Sequence, residues 1–453
     1  MSVPVKVHCV LLPALLALAA TRVVFAQEPT GPAPKPSPTP QEDSRPFHLG
    51  GELKVDFRNS KDVSSPVYFP FPPELIPQGQ TGVIMRTVDP GSSLELPNVA
   101  LRGEGEIMSG VTAKVEVHFL DLYNRNPTSS DDRLQLREAW VRVGRAPEGF
   151  QSGGTSFYVL VGLAPRFSRQ LQRRLEHYGL WGTAVGRFEQ PQVQLGGTLG
   201  RVYWRAMVGN GNPVFFRDTN ALAGDNGTPE RAPGNVNPIY QSGFPILYDA
   251  KPTDVTVNGD LEWGGGLGYR AGSDRAGLDV LGWVFGRRLQ DTVRLRGTYY
   301  GGDIKLLQGA GFPLPYSGRD KREYGVNVQG RWGGGRLFGQ YVDQEIAHLP
   351  RRGFEAEVAW RFDLDSGILI GDSPALNWIQ PVVRVSHLQN GFDGPREFPG
   401  LSVTWDWTKI DAGIRVEIIP GVDLTAEYAW HAARTHNTTL HPNEALVTLR
   451  VEF

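Results

Sequence analysis

The chain ends Glu444-Ala445-Leu446-Val447-Thr448-Leu449-Arg450-Val451-Glu452-Phe453, and the order of these ten residues decides the fold. Successive side chains of an extended strand point to opposite faces. Ala445, Val447, Leu449, Val451 and Phe453 therefore share one face, and Glu444, Leu446, Thr448, Arg450 and Glu452 the other. A period of two with one wholly apolar face reads as a strand lying against hydrocarbon.

The template extends backward. Val422, Leu424, Ala426, Tyr428 and Trp430 oppose Asp423, Thr425, Glu427, Ala429 and His431. Across the turn Pro420-Gly421, Ile410, Ala412, Ile414, Val416 and Ile418 oppose Asp411, Gly413, Arg415 and Glu417. Near the other end, Val111, Ala113, Val115, Val117 and Phe119 oppose Thr112, Lys114, Glu116 and His118. Slipping that strand by one residue would put Lys114 and Glu116 on a lipid face, at about 2 to 4 kcal/mol for a cation at the midplane and less for the acid.

Applied throughout, the pattern gives strands near 47–57, 94–107, 111–120, 133–143, 156–163, 189–199, 201–208, 255–270, 278–287, 322–332, 336–342, 354–362, 378–388, 404–418, 422–431 and 444–453. Connections such as Ser109-Gly110, Leu199-Gly200, Gly333-Gly334-Gly335 and Pro420-Gly421 are short. Those near 58–93, 164–188, 209–254 and 288–321 are long. An even strand number with short turns on one side and long loops on the other is the arrangement of a transmembrane β-barrel. The expected fold is all-β: one 16-stranded antiparallel transmembrane barrel with short periplasmic turns and long extracellular loops. Alternation falters at 133–143 and 401–408, and 288–310 has room for another hairpin, so 14 and 18 strands are the alternatives. Phe47, Trp332, Trp360, Phe362, Trp378 and Phe453 are assigned to the periplasmic aromatic girdle, and Phe57, Phe119, Tyr428 and Trp430 to the outer one.

Composition fits. Among 453 residues, 55 Gly and 35 Pro suit many turns between short strands, and beyond the first 26 residues no apolar run reaches the length of a spanning helix. Residues 1–26 read as a signal peptide, with Lys6, an apolar stretch from Val10 to Ala20, and a cleavage site after Val24-Phe25-Ala26. The lone Cys9 leaves with it, so neither a disulfide scaffold nor a Cys-ligated metal site is expected. The net charge falls from −2 to about −4 when Lys6 and Arg22 go, which argues against a nucleic-acid partner. Residues 27–46 hold seven prolines and read as a periplasmic tether, leaving 47–453 for the barrel.

Two sets of residues carry solute chemistry. The connection at 164–188, the third on the long-loop side, holds Arg166, Arg169, Arg173, Arg174 and Arg187 against Glu176; folded into the lumen it would form an anion-binding constriction, because a guanidinium grips oxyanions with a planar donor fork and stays charged. Left outside, it would pair with lipopolysaccharide phosphates or a neighbouring subunit. On the lumen face of the strands lie Lys54, Lys114, Arg331, Arg361, Arg384, Arg415 and Arg450, interspersed with Glu52, Asp56, Glu116, Glu355, Glu357, Glu417, Glu427 and Glu452. That is a mixed-charge, water-filled wall.

Val447, Leu449, Val451 and Phe453 resemble the C-terminal signal read by the assembly machinery of bacterial outer-membrane barrels. Over residues 94–213, the order LELPNVALRGEGEIMSGVTAKVEVHFLD, DRLQLREAWVRVG, SFYVLVGLAPRF, VQLGGTLGRVYWRAMVGNGNP resembles the phosphate-selective porin O/P family. Leu136-Arg137-Glu138-Ala139-Trp140 is similar to its Leu-Arg-Asp-Ala-Tyr stretch, whereas Ala164-Pro165-Arg166-Phe167 departs from its next motif. The resemblance implies an outer-membrane, 16-stranded, homotrimeric barrel that conducts anions past an inward-folded third loop.

The expectation is a passive channel for small hydrophilic solutes, biased toward anions, with no cofactor and no catalysis. A general or sugar-conducting porin competes, its mark being a trail of inward rings for which Trp140, Tyr158 and Tyr203 are the candidates. A closed structural or adhesive barrel, or a barrel enzyme, is the alternative of another class. No G-x-S-x-G or H-E-x-x-H occurs, Gly264-Gly265-Gly266-Leu267-Gly268 reads as close strand packing, and His431, His436 and His441 are too loosely spaced for a metal site.

Overall fold

The computed structural model describes residues 47–61, 63–68, 82–86, 91–120, 134–146, 150, 154–168, 174–177, 179–181, 189–211, 239–242, 261–273, 275–288, 320–346, 349–390, 406–434 and 439–453. The leader, the tether and residues 289–310, where another hairpin had room, lie outside them. Sixteen antiparallel strands form the wall: β1 Phe47–Ser60, β2 Gly91–Met108, β3 Val111–Leu120, β4 Leu134–Gly144, β5 Thr155–Pro165, β6 Glu189–Leu199, β7 Val202–Gly209, β8 Glu262–Gly272, β9 Ala276–Arg288, β10 Asp320–Trp332, β11 Gly335–Ile346, β12 Leu349–Trp360, β13 Trp378–Asn390, β14 Asp406–Ile419, β15 Val422–Arg434 and β16 Glu444–Glu452. Each pairs with its sequence neighbours, and β1 also pairs with β16, which closes the barrel.

The seam is tied at its end by the last residue. Gly51 N–H donates to the Phe453 carbonyl (2.7 Å) and Phe453 N–H donates back (3.1 Å). The Phe453 ring folds over Gly51, where a Cβ would stand 2.5 Å from the ring. Glycine is what that closure requires.

Burial is inverted relative to a water-soluble protein. Leu49 and Leu94 are 82% and 70% exposed on the outer face, whereas Arg384, Lys409 and Asp411 inside are wholly buried. Large apolar side chains exposed along the outward phase of the strands make a lipid-facing surface. Aromatic rings gather at its margins: Trp332, Trp360 and Phe362 follow one another at 6.2 and 6.3 Å, and Tyr428 lies 4.6 Å from Trp430 at the other end. Trp378 does not join them. It is buried on the inner face, where the guanidinium groups of Arg361 (5.0 Å) and Arg415 (5.5 Å) lie against its ring.

Where alternation faltered, the wall is bulged. Glu116 pairs with Glu138 and Val117 with Leu136, so Arg137 is the extra residue of β4. On β2, Leu96 and Pro97 sit opposite a single residue of β1, a bulge that tolerates a proline. On the short-turn side, 364–377 forms an excursion with its own small hairpin, Ile368–Ile370 against Ser373–Ala375. On the long-loop side, Ser64–Tyr68, Gly82–Arg86 and Ile239–Ser242 form a separate three-stranded sheet joining the first long connection to the one after β7.

Candidate functional site

The connection after β5 turns into the lumen. Its entry is fixed where the Pro165 carbonyl accepts hydrogen bonds from the Gln192 and Gln194 side-chain amides (3.0 and 2.8 Å) on the inner face of β6. Arg166 is buried between Glu262 on β8 (3.4 Å) and Glu323 on β10 (3.2 Å), with its guanidinium 3.6 Å above the Phe285 ring. Phe167 stacks on Phe285 at 4.9 Å. The Ser168 carbonyl accepts from Asn327 (2.8 Å) and Gln340 (3.4 Å). All these wall residues alternate inward, which places the segment inside the barrel.

Farther along, Arg174 donates to Glu357 on β12 (2.8 Å), and Leu175 packs on Ala359 and Val382. Lys54 on β1 donates to Glu176 (2.9 Å). One carboxylate oxygen of Glu427, on β15, accepts the backbone N–H groups of Glu176 (2.8 Å) and His177 (3.0 Å), while Arg384 on β13 donates to the His177 carbonyl (2.9 Å). The His177 ring lies 3.4 Å from Glu427 and 3.8 Å from Glu444. Burial alone pushes this imidazole down, but Glu427 and Glu444 more than reverse it, and its pKa stands at about 9. The Glu355 carboxylate lies against Gly179, which has no side chain to obstruct it, and accepts the Trp181 N–H (3.4 Å).

The third connection is thus fastened along the inner wall by wall carboxylates. Arg166 and Arg174 are engaged in ion pairs with that wall, while Arg169, Arg173 and Arg187 lie outside the described residues. Of the inward bases read from sequence, Lys54 is taken up by Glu52 (3.3 Å) and Glu176. Lys114 is held by Glu116 (3.1 Å) and Glu138 (3.2 Å), and Arg415 by Asp423 (2.8 Å). Arg384 is fully buried beneath the inserted segment, so it serves the docking and not the open lumen surface.

Arg331 and Arg361 differ. Both lie near the short-turn end, where Arg331 pairs in register with Arg336 across the Gly333-Gly334 turn. Among the described residues, the positive charges of Arg331, Arg174 and Arg361 act on Arg336. Arg336 was not anticipated, although its position was readable: residues flanking a two-residue turn symmetrically face the same side. Trp140, Tyr158 and Tyr203 do face inward, but they are 9%, 3% and 2% exposed, with Tyr158 and Tyr203 lying flat over Gly196 and Gly268. They offer no stacking surface to a sugar. His431 is buried with its Nδ1 accepting the Trp407 indole N–H (3.1 Å), and His441 bonds to the His431 carbonyl (2.7 Å). His436 lies outside the described residues.

No protein-family model and no curated protein matches the chain. Among solved structures it is similar to OprB of Pseudomonas putida at a TM-score of 0.53 and 7% identity, over 90% of this chain and 94% of that one. The outer membrane channel DcaP of Acinetobacter baumannii follows at 0.46 and 12%, over 90% and 97%. An anion-selective porin from Comamonas acidovorans gives 0.44 and 9%, over 90% and 99%. At such identities the likeness is one of fold alone: the chain forms a closed β-barrel similar to that of OprB.

Proposed function

We propose that this protein is a passive outer-membrane diffusion channel for small hydrophilic solutes, with a bias toward anions. The observation that carries the reading is the third connection folded into the lumen of a closed 16-stranded barrel, fastened by Glu355, Glu357 and Glu427. A barrel this wide is not filled by its wall side chains alone. An inserted segment narrows such a lumen and brings its own charge into the path. Docking also consumes wall acids, which shifts the remaining lumen charge toward positive. The resemblance to phosphate-selective porins supports phosphate as the preferred anion, a homotrimer, and export by residues 1–26, with lipopolysaccharide and the barrel assembly machinery as partners. Among the described residues, burial of Trp140, Tyr158 and Tyr203 argues against these rings as a sugar trail.

The test is planar-bilayer recording of the refolded barrel in a potassium chloride gradient. An anion-directed reversal potential is expected. Cation selectivity refutes the anion bias, and well-folded barrels that do not conduct refute the channel.

A further inference from the structure

We propose that the small hairpin between β12 and β13, Ile368–Ile370 against Ser373–Ala375, is a lipid anchor lying in the headgroup–acyl boundary of the periplasmic leaflet. The inference goes beyond the channel reading and does not depend on what the lumen conducts.

Neighbouring connections on this side are minimal: Gly333-Gly334 and Pro420-Gly421 reverse the chain at once. The stretch 364–377 instead builds an antiparallel pair of its own, Ile368 opposite Ala375 and Ile370 opposite Ser373. It is fastened at several points. Leu364 N–H donates to the Asn377 carbonyl (2.6 Å), and Leu376 N–H to the Ile418 carbonyl on β14 (3.1 Å). Ile368 N–H donates to the Ser366 hydroxyl (3.2 Å), which in turn donates to the Ala375 carbonyl. The Asn377 side-chain amide donates to Glu417 on β14 (2.8 Å). Gly367 and Gly371 make the bends at φ of +63° and +62°, a conformation that glycine adopts without strain.

What this hairpin displays is apolar. Ile368, Leu369 and Ile370 are 48, 66 and 51% exposed. Three consecutive large aliphatic side chains held out by a fastened element are unfavourable in water, and a patch of this kind marks a surface that something apolar covers. Continuity with the wall identifies the cover. Trp360, Phe362 and Leu364 occupy every second position, Phe362 lies 6.3 Å from Trp360, and Leu364 is itself largely exposed. The lipid-facing stripe of β12 therefore runs past the aromatic girdle and into the excursion. Because such a girdle sits at headgroup level, the hairpin starts where the headgroups are. Charge then sets the depth. Asp365 and Asp372 flank the apolar run and are both exposed. Carboxylates are costly in hydrocarbon, so the element lies along the boundary, its aliphatic side chains among the outermost acyl carbons and its acids in the headgroup layer.

The test is a measurement of depth. Cys9 is the lone cysteine, so in a Cys9→Ser chain a single introduced cysteine takes a nitroxide label at one chosen place. Labels at Leu369→Cys, at Val193→Cys on the lipid-facing wall, and at Pro420→Cys in a tight turn are compared in phospholipid vesicles. Collision rates are read with oxygen, which concentrates among acyl chains, and with a nickel chelate, which stays in water. The expected result is an oxygen-to-nickel ratio at Leu369 several-fold above that at Pro420 and approaching that at Val193. Nickel access at Leu369 equal to that at Pro420 places the hairpin in water and overturns the anchor. Shielding of Leu369 from both reagents overturns it too, because the cover is then protein, a second copy of the chain or residues 27–46. Ile370→Cys repeats the reading should Leu369→Cys fail to refold, and heat-modified migration in gels confirms that each variant is a closed barrel. None of these readings uses current, so a barrel that does not conduct leaves this test intact.

Discussion

Glu427→Ala should release the inserted segment without opening the barrel. Glu427 contributes only its side chain to the docking, while its backbone sits in the β14–β15 and β15–β16 ladders opposite Gly413 and Leu446, which the substitution leaves in place. Its one oxygen satisfies the Glu176 and His177 N–H groups at 2.8 and 3.0 Å, and its other faces the His177 ring at 3.4 Å. Removing it leaves two buried donors without an acceptor and a buried imidazolium without its nearer counter-charge. Each orphaned donor costs about 1 to 3 kcal/mol, and breaking a buried charge pair about 3 to 5 kcal/mol. Because the groups share one carboxylate these overlap, so about 3 kcal/mol is the working figure, roughly a hundredfold shift toward the undocked segment. Single-channel conductance should therefore rise and grow noisier, and trypsin should cut at the arginines of 166–188 in the folded, heat-modifiable barrel. Unchanged conductance together with unchanged trypsin resistance would show that the segment is held by something other than the carboxylate network.

The other expectations concern the same parts. The folded pKa of His177, raised above its unfolded value near 6.5 to about 9, makes its contribution to docking complete below the lower value and lost as pH rises through the higher; conductance and trypsin cleavage should climb between pH 8 and 10, and a flat profile contradicts the latch. Gly51→Val drives a side chain into the Phe453 ring and the Ala100 carbonyl, 2.9 Å from the Cβ position, so the yield of heat-modifiable barrel on refolding should collapse. Gly268→Val displaces the Tyr203 ring, whose hydroxyl donates to Asp279 (2.5 Å); overpacking of this kind costs about 1 to 3 kcal/mol, read as a lower thermal midpoint with the reversal potential unchanged.

Strand number, register and closure were legible because lipid enforces them. A slip of one residue in β3 would put Lys114 and Glu116 in hydrocarbon, and the same constraint acts on every strand. Bulges were not legible. Arg137 is an extra inward residue whose presence follows from pairing with β3, not from β4 alone. Trp378 was assigned to the girdle from its place at a strand end, yet parity with Gln380 and Val382 puts it inside, where two arginines cover it. Placement of the third connection was the least legible part. Its anchors, Lys54, Glu357 and Glu427, lie far from it in sequence and on strands that meet only when the barrel closes. A basic segment and a wall with several acids were both visible in the chain, but nothing local says that one docks on the other.

That docking changes what a count of lumen charges means. Read from sequence, inward acids and bases nearly balance, which suggests a channel of no particular sign. Opposite charges about 3 Å apart act on a passing ion as dipoles, whose fields fall quickly and cancel beyond the screening length, about 10 Å at 0.1 M salt. The pairs Arg415–Asp423, Lys114–Glu138 and Arg174–Glu357, at 2.8, 3.2 and 2.8 Å, therefore contribute little selectivity for all their charge. Facing guanidinium groups without an acid do not cancel. Among the described residues, Arg331 and Arg336 face one another in register with no acidic partner, so their field is not cancelled in this way. The sign of such a channel is set by the charges whose partners the fold leaves out, and a sequence shows the charges without showing which of them are paired.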